Sequence, residues 1–269
     1  MPPVFFLCFI ENAYINCLQS TKYGLDVIYV RNIFPNYLIG IAVISLSYTA
    51  VLLSEPTFLN LTKEDGIIEG MGAVLFLISA IMSAILFYKT LLRPKNLQLG
   101  RPLFYVFFAL AFLFSFGEEI SWGQRILGFN TPSFIEEKNL QGEFNVHNLK
   151  FFHGVTEDGN PKFGLWAWLT MKRLLILFCI GYLVILPIVV FISEPARRII
   201  GLVDLPIPHI FPGVIFLYTV ILAKIIKFFI ESPDLRHGIV EIMETNIAFV
   251  WLYVPVSWWI KYWKSNPSP

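Results

Sequence analysis

Charge is what this sequence has least of. Only 14% of its 269 residues are Asp, Glu, Lys or Arg, against 56% hydrophobic, and the mean hydropathy is +0.66. A soluble domain of this length covers itself with far more charge, so the shortage sets aside a soluble globular class and points to a polytopic membrane protein. The net charge is +1 and no long basic block occurs, which argues against a nucleic-acid partner and against a polybasic lipid-binding tail. The three cysteines, Cys8, Cys17 and Cys179, form no CxxC pair, so neither structural zinc nor a disulfide framework is expected. The four histidines fall into no HExxH or HxxxH arrangement, and no GxSxG is present. The stretch MPPVFFLCFI lacks a basic n-region and no small-residue cleavage site follows it, so a cleaved signal peptide is not expected.

What the chain does have is long apolar runs. Taking about 20 apolar residues per crossing, the pattern predicts an all-α bundle of about six transmembrane helices, near 37–54, 67–89, 102–122, 173–192, 209–230 and 237–259. Residues 1–35 read as an interfacial leader, 36–260 as a single transmembrane domain, and 261–269 as a tail. The connection 123–172 is too long for a plain link and too aromatic for a flexible one. It is expected to lie on the membrane surface as short amphipathic helices and turns.

Lys89, Arg93, Lys95 and Arg101 crowd the loop between spans 2 and 3, whereas the loop between spans 1 and 2 carries Lys63 alone. That asymmetry places the former, and with it both termini, in the cytoplasm, in a plasma or inner membrane. The lysines and arginines of 123–172 pull the other way. Helix alternation is independent of this choice. It puts KEDGIIEG, FGEEISWGQR, the 123–172 connection, KIIKFFIESPD and RHGIVEIMET on one membrane side, gathering the ionisable residues of the spans into one half of the bundle. Charges at membrane depth are costly and face a cavity or one another.

Within span 6, His237, Glu241 and Glu244 are spaced i, i+4, i+7 and share a helical stripe. Asp65, Glu69 and Gly72 repeat that spacing in span 2, where DGIIEGMG matches HGIVEIME at four of eight positions. Span 2 also carries small residues at helical spacing, among them Gly66, Gly70, Ser79 and Ser83, which read as close packing. If the third helix runs on through FGEEISWGQR, then Glu118, Ser121, Trp122 and Arg125 share a face and Glu119 turns roughly 100° away. Trp122 then sits at headgroup level, where Arg125 could reach a lipid phosphate. His147, in a dense polar cluster with Glu143, Asn145 and Asn148, and His153 follow in the connection. Trp166 and Trp168 mark the return into lipid.

The motifs EDGxxE (Glu64, Asp65, Glu69), GEEISWGQR (Glu118, Glu119, Gln124, Arg125) and QGExNxHN (Gln141, Glu143, Asn145, His147, Asn148) together resemble a pattern of uncharacterised multi-pass membrane proteins, mostly bacterial. The resemblance spans roughly residues 64–150 and implies grouping, with no activity attached.

Three readings follow. In the first, an ion-pair network fixes helix register, in an assembly or structural role that can include a protein partner or a second copy within the membrane. In the second, the polar site is that of a hydrolase or transferase acting on a membrane lipid or a lipid-linked substrate. Its catalytic candidates are Glu118, Glu119, Arg125, Glu69 and Glu241, and His147, His237, Glu244 and Asp65 are candidate ligands of a divalent metal ion. In the third, Glu69, Glu241 and Glu244 are proton or cation sites of a transporter. The six carboxylates Asp65, Glu69, Glu118, Glu119, Glu241 and Glu244 outnumber the expected counter-charges Arg125, Lys224 and Lys227, so pairing alone leaves a surplus.

Overall fold

The computed structural model describes residues 33–63, 66–92, 100–153, 156, 160–164, 167 and 170–264, with the backbone alone for residues 33–36, Arg125 and Lys264. Glu64, Asp65, Trp166, Trp168 and nearly all of the expected leader therefore lie outside the described residues. The described chain is mainly helical, and an isolated antiparallel bridge joins Asn139 to Leu149.

The helices are α1 (Ile33–Tyr48), prolonged by a 3-10 turn over Thr49–Leu52, α2 (Glu55–Thr62), α3 (Ile67–Leu91) and α4 (Gly100–Glu119). Two single turns, α5 (Gln124–Leu127) and α6 (Ser133–Glu136), lie in the connection. After it come α7 (Met171–Ile192), α8 (Glu194–Val203), α9 (Ile210–Phe229) and α10 (Pro233–Lys264). The segment from α2 to the end of α3, together with α4, α7, α9 and α10, supplies five spans long and apolar enough to cross a membrane. The first expected span is a shorter apolar helix. This makes the chain a polytopic, all-α integral membrane protein. The expected span 102–122 stops three residues early, at Glu119, and α10 continues into the expected tail.

Without a hydrophobic force between helices in lipid, close approach depends on small residues, and they stand at the crossings. At Gly72 a Cβ would lie 3.4 Å from the Thr245 hydroxyl, and that hydroxyl donates to the Ile68 carbonyl at 2.9 Å. The parallel helices α3 and α10 are thereby locked one turn from Glu69 and Glu241. A Cβ at Gly238 would meet Phe58 and the Thr62 hydroxyl at 2.5 Å, so the start of α10 seats directly on α2. Ser79 and Ser83 are fully buried and return their hydroxyls to the carbonyls of Leu75 and Ser79. Their role is packing, as expected.

In α7 the run Ile180–Ile185 is a π-helical turn ahead of Pro187. Proline has no N–H to return to the Leu183 carbonyl, and Gly213 of α9 packs directly onto that carbonyl. At the end of the bundle away from the acidic residues, Arg101 pairs with Asp204 at 2.5 Å. The polar residues of α1 are bonded across helices: Ser45 to Tyr218 at 2.7 Å, Ser47 to Asn246 at 3.2 Å and Tyr48 to Thr219 at 3.0 Å.

His209, just ahead of α9, is buried and caps the helix, its Nδ1 accepting from the Phe211 N–H at 3.1 Å. Burial pushes its imidazole down to about 4 from the ordinary 6.5. The unfolded chain binds this proton before the folded one does, so stability is full above pH 6.5 and falls as the pH drops toward about 4. An Asn at this position keeps an acceptor without the titration. His209→Asn is expected to flatten that part of the thermal-stability profile, and His209→Ala to cost about 1 kcal/mol at neutral pH. A second expectation is topological. In a background without native cysteines, Glu55→Cys and Glu137→Cys should react with an impermeant thiol reagent from one membrane face and Arg198→Cys from the other; labelling of Glu55→Cys and Glu137→Cys from opposite faces would refute the arrangement.

Candidate functional site

Helix α4 ends abruptly. Ser121, Trp122 and Gly123 have φ of 45°, 53° and 77°, three successive residues in the left-handed region. Such a run is costly for side-chain-bearing residues and persists where surrounding contacts hold it. It folds the Trp122 ring back over Gly117, where a Cβ would lie 2.9 Å from the indole, and edge-on to Phe114 with centroids 5.7 Å apart. The indole N–H then donates to Glu118 Oε1 at 2.7 Å. A helix continuing through this stretch, with Glu118, Ser121, Trp122 and Arg125 on one face, is thus overturned. The break lies at residues 120–123, and Trp122 packs back on its own helix.

Glu118 is 5% exposed, and four donors converge on it. Besides Trp122, its Oε2 accepts the backbone N–H groups of Val146 and His147, both at 2.7 Å, and stands 3.2 Å from His147 Nδ1. Next to it, Ser121 donates to Glu143 Oε2 at 2.6 Å, and Asn145 donates to the same oxygen at 3.0 Å. Gln124 accepts the Phe144 N–H at 2.8 Å and donates to Thr131 at 2.7 Å. Asn139 bonds to Asn145 at 2.8 Å and takes the Gln141 N–H at 2.9 Å, while Asn148 donates to Gln141. The two motifs GEEISWGQR and QGEFNVHN are therefore the two halves of one clasp that ties the connection down over the end of α4.

Beneath the clasp lies a cavity of about 820 Å³. Its polar end is lined by Glu69 from α3, Glu118 and Glu119 from α4, Glu143, His147 and His153 from the connection, Lys172 from α7, and His237, Glu241 and Glu244 from α10. Its other end is aromatic, formed by Phe76, Phe108, Phe112, Phe178 and Trp251. Of the ionisable residues expected on one membrane side, Glu69, Glu118, Glu119, His237, Glu241 and Glu244 are thus gathered at one site. Glu119, expected to turn away, lines the cavity together with Glu69, Glu241 and Glu244. Glu118 lines it too, with its oxygens engaged by the clasp.

One ion pair and two histidine–carboxylate contacts order the site. Lys172 meets Glu244 at 2.5 Å, His237 Nδ1 stands 3.4 Å from Glu241, and His147 is held by Glu118. Lys172 opens span 4 and was legible only as a loop charge, whereas the expected counter-charges Lys224 and Lys227 do not line the cavity. His153 is held below the ordinary histidine range, chiefly by burial, with the neighbouring His147 and Lys162 charges acting in the same direction. Its Nε2 has no hydrogen-bond partner. Among the described residues, no three His, Cys, Asp or Glu side chains are grouped closely enough to hold a metal ion. His147 is turned to Glu118 and His237 to Glu241, Glu244 to Lys172, and Asp65 lies outside the described residues. The Arg125 side chain does so too; its backbone belongs to α5, beyond the break.

Fold and site together define a polytopic helical membrane protein with a polar cavity in one half of the bundle. No family model matches the chain, and neither a curated protein nor a solved structure matches it. The resemblance to uncharacterised multi-pass proteins thus finds no support in these comparisons, and the site must be judged on its geometry.

The two adjacent glutamates should respond differently to the same change. In Glu118→Gln an amide NH₂ replaces one acceptor oxygen among four donors, and a loss of about 1–3 kcal/mol is expected, with faster proteolysis within residues 139–153. Glu119→Gln takes one carboxyl group out of an acidic cluster and should leave the melting temperature unchanged or raised. Thermal unfolding and limited proteolysis of the purified variants measure both; a Glu118→Gln protein as stable as the parent would show that the clasp does not depend on the carboxylate.

Proposed function

We propose that the protein is a membrane-embedded hydrolase or transferase whose substrate is a lipid or lipid-linked amphiphile. The observation that carries this reading is the division of the cavity along its length. Carboxylates and histidines line the end at the membrane surface, and an aromatic floor lies deeper, which suits a molecule with a reactive polar head and a hydrocarbon tail. Glu119 is the acid–base candidate, since its oxygens are not committed to the clasp. Glu241 with His237 forms a second proton-exchanging pair. Glu69 borders the same space, and Lys172 offsets Glu244 and can meet negative charge developing on a phosphoester or ester. Arg125, whose planar fork lysine does not reproduce, is the candidate anchor for a phosphate. Glu118 is a positioning residue that holds His147 and the roof. The described donors do not converge on a metal position, so no step is assigned to a metal ion.

Transport is less well supported, because a pathway needs polar groups across the whole bundle. Those of the far half, on α1, α3, α9 and α10, are bonded to one another or to their own helices. A purely structural network accounts for Glu118, Glu143 and Ser121, yet leaves an open cavity with Glu119 at its wall.

The test is mass spectrometry of lipids carried by the protein purified in nanodiscs from its native membrane extract. The parent is expected to carry an amphiphile, and Glu119→Gln and Glu241→Gln to accumulate an unreacted form of it. Identical lipid profiles in all three proteins would remove the enzyme reading. Absence of bound amphiphile from all three would remove the lipid site as well.

A further inference from the structure

We propose that the cavity is entered sideways from the bilayer, between α4 and the first half of α7, and that a membrane lipid's hydrocarbon chain occupies this opening. The inference rests on the reading of the cavity as an amphiphile site and adds its route of access.

Helix α7 is fastened to its neighbours unevenly. At the π-helical turn, Tyr182 packs on Phe108 of α4 with centroids 4.9 Å apart, closing the two helices together at depth. From there toward the membrane surface, the half of α7 over Met171–Cys179 is tied to α10 and, through Arg173 to the Ala167 carbonyl, to the connection. Phe178 stacks on Trp251 at 5.5 Å and 14°, and Lys172 pairs with Glu244. Among the described residues, no hydrogen bond, ion pair or ring contact joins this half of α7 to α4. The result is a wedge closed at its deep end, closed along α10, roofed by the clasped connection and open toward α4.

The side chains along the open edge fit that geometry. Phe114 is 41% exposed, Leu174 36% and Phe178 42%, and all three also line the cavity. Phe114 stands at the margin between the cavity wall and the lipid-facing stripe of Leu103, Phe107 and Leu110. It lies five residues before the end of α4, and Phe178 seven residues after the start of α7, so both are roughly 7–11 Å along their helices from the polar end, at 1.5 Å per residue. That is hydrocarbon depth, where water supplies no competing occupant and an apolar opening is filled by acyl chains. A lipid entering here keeps its tail in the opening while its head slides under the roof to Glu119 and the α10 stripe, without its polar part crossing the apolar floor.

The experiment uses the full chain in nanodiscs of phosphatidylcholine doped with a phosphatidylcholine bearing a diazirine on its acyl chain, with label sites mapped by peptide mass spectrometry. In the parent, label is expected on the peptides holding Phe178 and Trp251 as well as on the outer face of α4. Ala111→Trp, which fills the space beside the opening, and Leu174→Trp, at its other edge, should each lose most of the Trp251 label while keeping the label at Leu103 and Leu110. Having two independent variants guards against one failing to fold. Loss of interior label in a folded variant supports the side entrance. Full interior label in a folded variant overturns it and leaves the amphiphile site standing. Absence of interior label from the parent overturns both.

Discussion

The arrangement at the polar end depends on one buried carboxylate on which four hydrogen-bond partners converge. Glu118 receives an indole N–H from its own helix terminus and two backbone N–H groups and an imidazole from a segment 28 and 29 residues further along. Bonds to an ionised acceptor are each worth about 1.5–3 kcal/mol where water is scarce. They offset the strain of two left-handed non-glycine residues. Without that fastening the roof has no reason to sit over α4, and the space beneath it would be an open funnel.

From this follows the division of labour between adjacent glutamates. Because α4 ends one residue after Glu118, the chain on its C-terminal side no longer competes for the helix face that Glu119 presents to α3 and α10. Glu118 becomes a fixed part of the frame, and Glu119 the group facing Glu244, Glu69 and Glu241 across the cavity. The crossing of α3 and α10 at Gly72 and Thr245 sets how closely those carboxylates approach. A small residue in one helix thereby determines the electrostatics of a site one turn away.

The same uneven fastening governs α7. A π-helical turn and a proline weaken its internal ladder where α9 and α4 grip it, and its surface-proximal half is held to α10 by the Phe178–Trp251 stack and the Lys172–Glu244 ion pair and to the connection through Arg173. The cavity takes its shape from this. It is deep and aromatic where rings from α4, α7 and α10 meet, polar where the acidic stripes end, and bounded on one side by a helix that stands away from its neighbour.

Much of this was legible in the sequence. The number and extent of the apolar runs follow from the bilayer's thickness, and the gathering of Glu69, Glu118, Glu119, His237, Glu241 and Glu244 on one side follows from alternation of helix direction alone. The small residues of span 2 announced close packing, and the polar cluster around His147 announced a structured connection. What local pattern could not convey was the break at Ser121 and Trp122. A 3.6-residue period projects Glu118 inward and Glu119 away, whereas the left-handed backbone there is held in part by Glu143 and Asn145, arriving from elsewhere in the chain. Nor could it convey the partner of Lys172, since a charge at a span's edge reads the same whether it meets solvent or a carboxylate 72 residues away. Residue type and spacing determined the membrane class, the helices and the side on which the polar residues lie. Tertiary contacts, through hydrogen bonds that exist only when distant segments meet, decided which of those residues build the frame and which face the cavity.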